Sequence, residues 1–394
     1  MGDVMARALL ATLCVASIIA TSANAQVDRT RLERIVHRME EFVEAGQMAG
    51  AVMLLARHGE ILLHEAVGFA DLESHETMRT DTIFQVQSMT KSVTATAIMT
   101  LIEDDRLRLT DPVSLYLPAF QDLRVITAAG HPELEEPHRP ITIRDLLTHS
   151  SGMRHGHHSY ATAPDVDTLK EVVDGNAAEP LTFQPGTTFG YSNYGMETLG
   201  RIIEVITRQT YDAYVRERIL ASLDMEDSFF RPSQQQRDRI AEIYRVADGT
   251  LTLQVDDPSS PFAYPNPAAG LFSTAQDMFA FYQMTLAEGV YEGVRILSLA
   301  SVSTMTTAHT NSVGRGRFSG YGYGFAVVRD PIGTLDRPLQ QEGAYGHYGY
   351  WGTVGWVNPT SGLVGVFLTH YRNGSSSREF AEVFMAMATA VVAD

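Results

Sequence analysis

Cysteine is almost absent from this chain: there is one in 394 residues, Cys14, inside an apolar run near the N-terminus. With that run removed there can be no disulfide framework, no thiol nucleophile and no Cys-ligated zinc. Lysine is nearly missing too. Of 30 basic residues only Lys91 and Lys170 are lysine. Arginine stays protonated, whereas a buried lysine can lose its proton, so a lysine kept in an arginine-rich chain is a candidate base. Positive charge is short overall. The formal net charge of −17 repels a phosphate backbone and argues against nucleic acid as a partner. Long hydrophobic runs are missing beyond Ala8 to Ala20, which is shorter than the ~20 residues that span a bilayer. Arg7 precedes that run, and Ala23-Asn24-Ala25 follows it as an A-x-A site. Residues 1–25 therefore read as a signal peptide, with a periplasmic or secreted chain over 26–394 and no stable membrane span after cleavage. The alternative of a lipid-bearing Cys14 is disfavoured, because Ala11-Thr12-Leu13 is a poor match to small residues before a lipidated cysteine.

What remains has ordinary globular composition, 44% hydrophobic and 20% charged, enough for a sizeable core. Leu32, Ile35, Met39, Phe42 and Val43 have helical spacing, and Ala51 to Ala56 and Ile61 to His64 read as strands around a His58-Gly59 turn. At the far end Gly324 to Arg329, Thr353 to Val357 and Leu363 to Thr369 read as strands, and Phe380 to Val392 as a closing helix. The middle reads as helices over Thr90 to Asp104, Ile143 to Leu147, Thr198 to Thr207, Tyr211 to Ala221 and Ala275 to Ala287. The pattern predicts an α+β fold with one antiparallel sheet built from both chain termini and flanked by helices. The sheet region covers about 26–87 and 290–394, around a largely helical inserted region of about 88–289.

Three short segments carry candidate chemistry. Ser88-Met89-Thr90-Lys91 opens a helix, and residues three apart share a helix face, so the hydroxyl and the amine face each other. A helix start also stabilises developing negative charge. The plainer reading is an N-cap serine followed by a solvated lysine. Tyr191-Ser192-Asn193 follows Pro185-Gly186. A tyrosine with a pKa of about 10 needs a nearby cation such as Lys91 to act as a base, and Asn193 can both donate and accept. His347-Tyr348-Gly349-Tyr350 lies in a Gly-rich stretch beside Trp351, where the N–H of Tyr350 could complete an oxyanion hole. Each of the last two, alone, also fits a plain turn or a hairpin with a surface histidine.

Taken together, S-x-x-K, Y-x-N and H-x-G in this order resemble the serine β-lactamase and penicillin-binding-protein superfamily. Leu146-Leu147-Thr148-His149-Ser150-Ser151-Gly152-Met153 is similar to that family's LLTHTSGL segment, and the stretches from Tyr191 to Phe229 and from Ala269 to Met278 match further segments. The class C-like branch is nearest: class C β-lactamases, D-alanyl-D-alanine carboxypeptidases, D-aminopeptidases and family VIII carboxylesterases. The resemblance implies a β-lactamase-like fold and no cofactor. It implies Ser88 as nucleophile, Lys91 and Tyr191 as the acid/base pair, Asn193 orienting substrate, and His347 and Gly349 on the opposite wall; the aromatics beside them, Tyr345, Tyr348, Tyr350 and Trp351, suit an apolar acyl or alcohol group. The E-x-x-L-N segment that carries the class A deacylating glutamate is absent. Most β-lactamases have lysine at the place of His347, which weakens the case for a strong β-lactamase but leaves a carboxypeptidase or D-aminopeptidase open; a short-chain ester is the leading expectation, with D-amino-acid peptides and β-lactams as the alternatives.

Other classes compete. His149, His155, His157 and His158 are dense enough for zinc, but no H-E-x-x-H is present and no carboxylate follows until Asp165. An α/β-hydrolase would need G-x-S-x-G, which is also absent. A non-catalytic sensor on the same fold would be free to lose its nucleophile and base, yet both are kept.

Overall fold

In the computed structural model, described over residues 27–127, 133–155, 168–254, 264–310, 320–330, 340–373 and 377–392, strands from the two ends of the chain lie side by side. The proposed signal segment lies outside the described residues. β1 (Gly50–Arg57) and β2 (Glu60–Asp71) form a hairpin, and β3 (Glu76–Thr77) follows at the edge. From the far end come β4 (Gly320–Tyr321), β5 (Ala326–Val327), β6 (Tyr345–Tyr348), β7 (Val354–Asn358) and β8 (Leu363–Leu368). The sheet order is β4-β5-β6-β7-β8-β1-β2-β3. β1 and β8 join the two ends antiparallel, with Val52 opposite Leu368 and Leu54 opposite Val366.

β1 is apolar on both faces because both are covered. Val52, Leu54 and Ala56 enter one core, and Ala51, Met53 and Leu55 the other, as a period of two requires. The smaller core lies under the helices Arg29–Glu44 and Glu379–Thr389, where Ile35, Met39, Trp356 and Phe384 meet. Asp28 caps the first of these helices, its carboxylate accepting from the N–H groups of Thr30 and Arg31. The larger core lies between the sheet and the helical region.

At the centre of that region runs the helix Thr90–Glu103, buried from Thr90 to Leu101 without a polar face. A helix buried on every side must satisfy its own polar side chains. Thr90 donates to the Gln87 carbonyl, Ser92 to that of Gly324 and Thr96 to that of Ser92, while Thr94 meets the Tyr211 hydroxyl. Gly324, at φ +77°, lets the chain pass over this helix; a Cβ there would lie 2.5 Å from Ala95 Cβ and 2.9 Å from the Lys91 carbonyl oxygen. The strand expected over Gly324 to Arg329 is accordingly cut to Ala326–Val327. The helix expected from Thr198 starts earlier, at Asn193, because Ser192 caps it by accepting from the Gly195 N–H. The helix expected over Tyr211 to Ala221 is α-helical only over Tyr211–Val215 and then loosens into a π turn. Not anticipated were the helices Leu169–Ala177 and Leu299–Thr306, and the hairpin of Tyr244–Ala247 and Thr250–Leu253 that pairs in parallel with Tyr371–Asn373.

Candidate active site

Ser88 occupies a 3-10 turn, Gln87–Met89, that winds directly into the buried helix. The residue before it, Gln87, is held at φ +52°, a conformation that costs a non-glycine residue energy and persists only where its surroundings impose it. Here they do. Gln87 Nε2 donates to Gln85 Oε1 over 2.8 Å, and the Gln87 carbonyl accepts from Thr90. The turn places Ser88 Oγ 3.0 Å from Lys91 Nζ, one helical turn on. Lys91 is completely buried, and its amine also donates to the Ala268 carbonyl over 2.8 Å. Loss of hydration disfavours the ammonium and lowers the Lys91 pKa from its ordinary value to about 7, partly opposed by the carboxylate of Glu197.

Tyr191 closes the other side. Lys91 Nζ stands 4.8 Å from the centroid of its ring, and the phenol is hydrogen-bonded with Ser88. Burial pushes the phenol pKa well up; the Ser88 hydrogen bond and the charge of Arg378 only partly oppose this. Tyr191 is therefore a neutral phenol beside an amine that ionises near neutrality.

His149 straps this tyrosine in place. Its carbonyl accepts from the Gly190 N–H, its Nδ1 accepts from the Ser192 N–H, and its ring packs 4.5 Å from the Tyr191 ring. The loop that carries it is anchored by Asp145, whose carboxylate takes a two-pronged contact from Arg139 and caps the helix Ile143–Leu147. Burial lowers the His149 pKa well below the usual imidazole range, so it is neutral. His155 packs edge-on against Tyr191 at 5.2 Å, while His157 and His158 lie outside the described residues. Among the described residues no group of three His, Cys, Asp or Glu side chains is placed to hold a metal ion.

The third segment forms the facing wall. His347 is buried, with its ring 6.2 Å from that of Tyr191. Its Nδ1 lies 2.7 Å from the Tyr348 carbonyl, which can only accept, so the proton sits on Nδ1; Nε2 meets the Tyr321 hydroxyl at 3.2 Å. Gly349 is close to the chain itself rather than to an open cleft: a Cβ there would lie 2.0 Å from Thr353 Oγ1 and 2.5 Å from the Val86 carbonyl. That contact holds the end of β6 against the Ser88 turn. Trp351 is buried and its indole N–H donates to Gln85 Oε1, whereas Tyr350 is exposed and lies under Arg372. Asn193 is buried as the first residue of its helix. Beside Tyr191 opens a cavity of about 510 Å³ lined by Met153, Arg154, His155, Thr182 and Gly190. A larger cleft of about 680 Å³ lies between the terminal helices and the Tyr244–Leu253 hairpin, and among the described residues no serine, threonine, cysteine, histidine or lysine lines it.

All eight residues singled out from the sequence thus fall on the three segments that meet around Ser88. The sequence reading missed Ala268, which holds Lys91 through its backbone, and Tyr321, which meets His347. It also missed Glu197, which its neighbours along the chain do not mark out because Thr198 and Arg201 share its helix.

Comparison with known proteins gives the family of the chain. The family described as Beta-lactamase matches residues 35–390. Esterase EstB of Burkholderia gladioli is 31% identical over 76% of this chain and 82% of its own. Penicillin-binding protein 4 of Amycolatopsis lactamdurans is 30% identical over 82% of this chain and 79% of its own. In fold the chain is similar to EstCE1, a hydrolase with promiscuous acyltransferase activity, at a TM-score of 0.77 and 23% identity, covering 93% of this chain and 99% of the other. The chain belongs to the β-lactamase and penicillin-binding-protein superfamily of serine hydrolases and has its α+β fold.

Proposed function

We propose that this protein is an exported carboxylesterase that cleaves short-chain esters through a covalent acyl-enzyme on Ser88. The observation that carries the reading is the contact of 3.0 Å between Ser88 Oγ and an amine whose burial leaves it able to accept a proton near neutral pH. In acylation Lys91 Nζ takes the Ser88 proton as the Oγ–carbon bond forms. As the tetrahedral intermediate collapses, the Tyr191 phenol gives its proton to the departing alkoxide and is reprotonated from the Lys91 ammonium. Water then attacks the ester of Ser88, its proton passing to the same pair, and Ser88 regains a proton as the acid leaves. The N–H groups of Ser88 and Tyr350 are the proposed oxyanion donors, and Asn193 orients the substrate.

Ester preference rests on the third segment. His347 is occupied by Tyr321 and the Tyr348 carbonyl where most β-lactamases present a lysine to the substrate carboxylate. Its aromatic surroundings suit an apolar acyl or alcohol group, and a relative at 31% identity is named an esterase. Hydrolysis of a β-lactam or a D-amino-acid peptide is the second reading, supported by the similarity to penicillin-binding protein 4. A sensor role is disfavoured by the intact Ser88–Lys91 contact. Side-by-side assays of p-nitrophenyl butyrate and a chromogenic cephalosporin separate these readings. Ester turnover alone, lost in Ser88→Ala, is the expected result. Fast cephalosporin turnover would move the assignment to a β-lactamase, and turnover of neither would bring D-alanyl peptides forward. Export predicts a mature N-terminus at Gln26, read by mass spectrometry of the secreted protein.

A further inference from the structure

A second ionisable group whose charge acts on Lys91 is completely buried. Glu197 lies one turn past Asn193 on the helix Asn193–Thr207, in a stretch buried from Asn193 to Gly200. A carboxyl taken out of water is costly unless it is caged by donors and faced by a cation. Glu197 has both. Its Oε2 accepts from Asn176 Nδ2 over 2.8 Å, and its Oε1 from the Tyr264 hydroxyl over 2.9 Å and from Asn266 Nδ2 over 3.4 Å. The two amides can only donate through these nitrogens, which is how a carboxylate is held. The cation that acts on it is Lys91. A covalent and hydrogen-bonded path joins the two. Asn266 Oδ1 accepts from the N–H groups of Ala268 and Ala269, and the Ala268 carbonyl in turn accepts from Lys91 Nζ. Asn266 thus touches the carboxylate with one end and fixes the backbone that holds the amine with the other.

We propose that Glu197 is a positioning residue for the reaction at Ser88: its buried negative charge, relayed and fixed by Asn266, sets how readily Lys91 takes and holds the serine proton. The inference rests on the proposed role of Lys91 as proton acceptor. When the Ser88 proton reaches Lys91, the new ammonium is in a dry interior where Glu197 stabilises it. Burial raises the Glu197 carboxyl from its ordinary value, its three hydrogen-bond donors and Lys91 pull it back down, and the same interaction with Glu197 holds the Lys91 amine up against its own burial. The other titratable groups facing Lys91 are Tyr191 on the approach to the helix and His149 and His155 on the neighbouring loop; Tyr194 faces Glu197 from its own helix. His149 is neutral, and neither it nor Tyr191 supplies a negative charge at neutral pH.

The lysine composition makes this directly measurable, because a lysine label yields two signals, Lys91 and the exposed Lys170. Carbon-13 lysine NMR of the full mature chain would follow both through a pH titration. In the wild type Lys91 should titrate well below the ordinary lysine value. Glu197→Gln should lower the Lys91 midpoint by roughly one pH unit, the size of a nearby-charge effect, and leave Lys170 in place. The acid limb of Ser88 labelling by a fluorophosphonate should move down with it, and the labelling rate should fall roughly tenfold. Glu197→Asp disturbs the packing but keeps the charge, so its Lys91 midpoint should stay near the wild-type value. If Glu197→Gln does not fold, Tyr264→Phe removes one donor from the carboxylate and should move the Lys91 midpoint in the same direction, less far. An unmoved Lys91 midpoint in the folded charge-removing variant overturns the inference and leaves the role of Lys91 intact. An ordinary lysine midpoint for Lys91 in the wild type overturns both.

Discussion

In the proposed mechanism Lys91 concentrates the chemistry, because two demands fall on one side chain. It must be close enough to Ser88 to receive a proton and dry enough to be unprotonated near neutral pH, and the helix Thr90–Glu103 supplies both by burying it completely. The sign of its pH dependence follows. With its pKa lowered to about 7, the amine is an ammonium below that value and cannot accept the Ser88 proton. The kcat/KM of ester hydrolysis should therefore rise through about pH 7 on the acid side; a profile flat from pH 5 to 8 would contradict it. Lys91→Arg keeps a cation and loses the base, because a guanidinium does not give up its proton. It should lower activity at least about 1000-fold, as should Ser88→Ala, with both proteins still folded by circular dichroism. The sequence made this residue legible through scarcity, since one lysine of two stands three residues after a serine. Glu197 was not legible, because nothing local in Met196-Glu197-Thr198 shows that Asn176, Tyr264 and Asn266 converge on it from other segments.

Among the elements, the Ser88 turn and the end of β6 depend on one another. Gly349 is required because the chain of Val86 and Thr353 passes where a Cβ would sit. Gly349→Ala should push β6 away from Ser88, costing about 1–3 kcal/mol of stability by overpacking and at least tenfold in kcat/KM. Unchanged thermal unfolding with unchanged activity would show that the contact does not set the site. The residues after β8 make a similar joint. His370 accepts from the Gln85 N–H through Nε2 and faces the Ala241 carbonyl through Nδ1, and burial lowers its pKa to about 4. The unfolded chain binds this proton from pH 6.5 downwards and the folded chain only near 4, so stability is lost as pH falls through that window. Wild type and His370→Gln, compared by urea unfolding at pH 7 and pH 4, should differ by roughly 3 kcal/mol less at the lower pH. Element types were largely legible from periodicity, as for β1, β8 and the helix Ala275–Leu286. Their ends were less so, because Gly324, Ser192 and the π turn after Val215 act through contacts made elsewhere in the chain.

At the scale of the whole molecule, the sheet that carries β6 is assembled only when both ends of the chain are present. β1 is paired between β2 and β8, so the wall opposite Tyr191 cannot form from either end alone. The alternation of strands and helices along the chain made this legible, since strands at both termini enclosing helices leave one economical arrangement. The joining of three distant segments around Ser88 came instead from the resemblance to a known family, because no spacing along the chain states how far apart residues 88, 191 and 347 lie in space. No helix among the described residues is long and apolar enough to cross a membrane, and the formal net charge of −17 argues against a phosphate-rich partner. The central claim is that turnover passes through an acyl group on Ser88. Intact-protein and peptide mass spectrometry after rapid acid quench of the enzyme with p-nitrophenyl butyrate tests it most directly. The account predicts a butyryl adduct on the peptide holding Ser88, present in the wild type and absent from Ser88→Ala and Lys91→Arg. Ester turnover in Ser88→Ala, or an adduct confined to another residue, would contradict it.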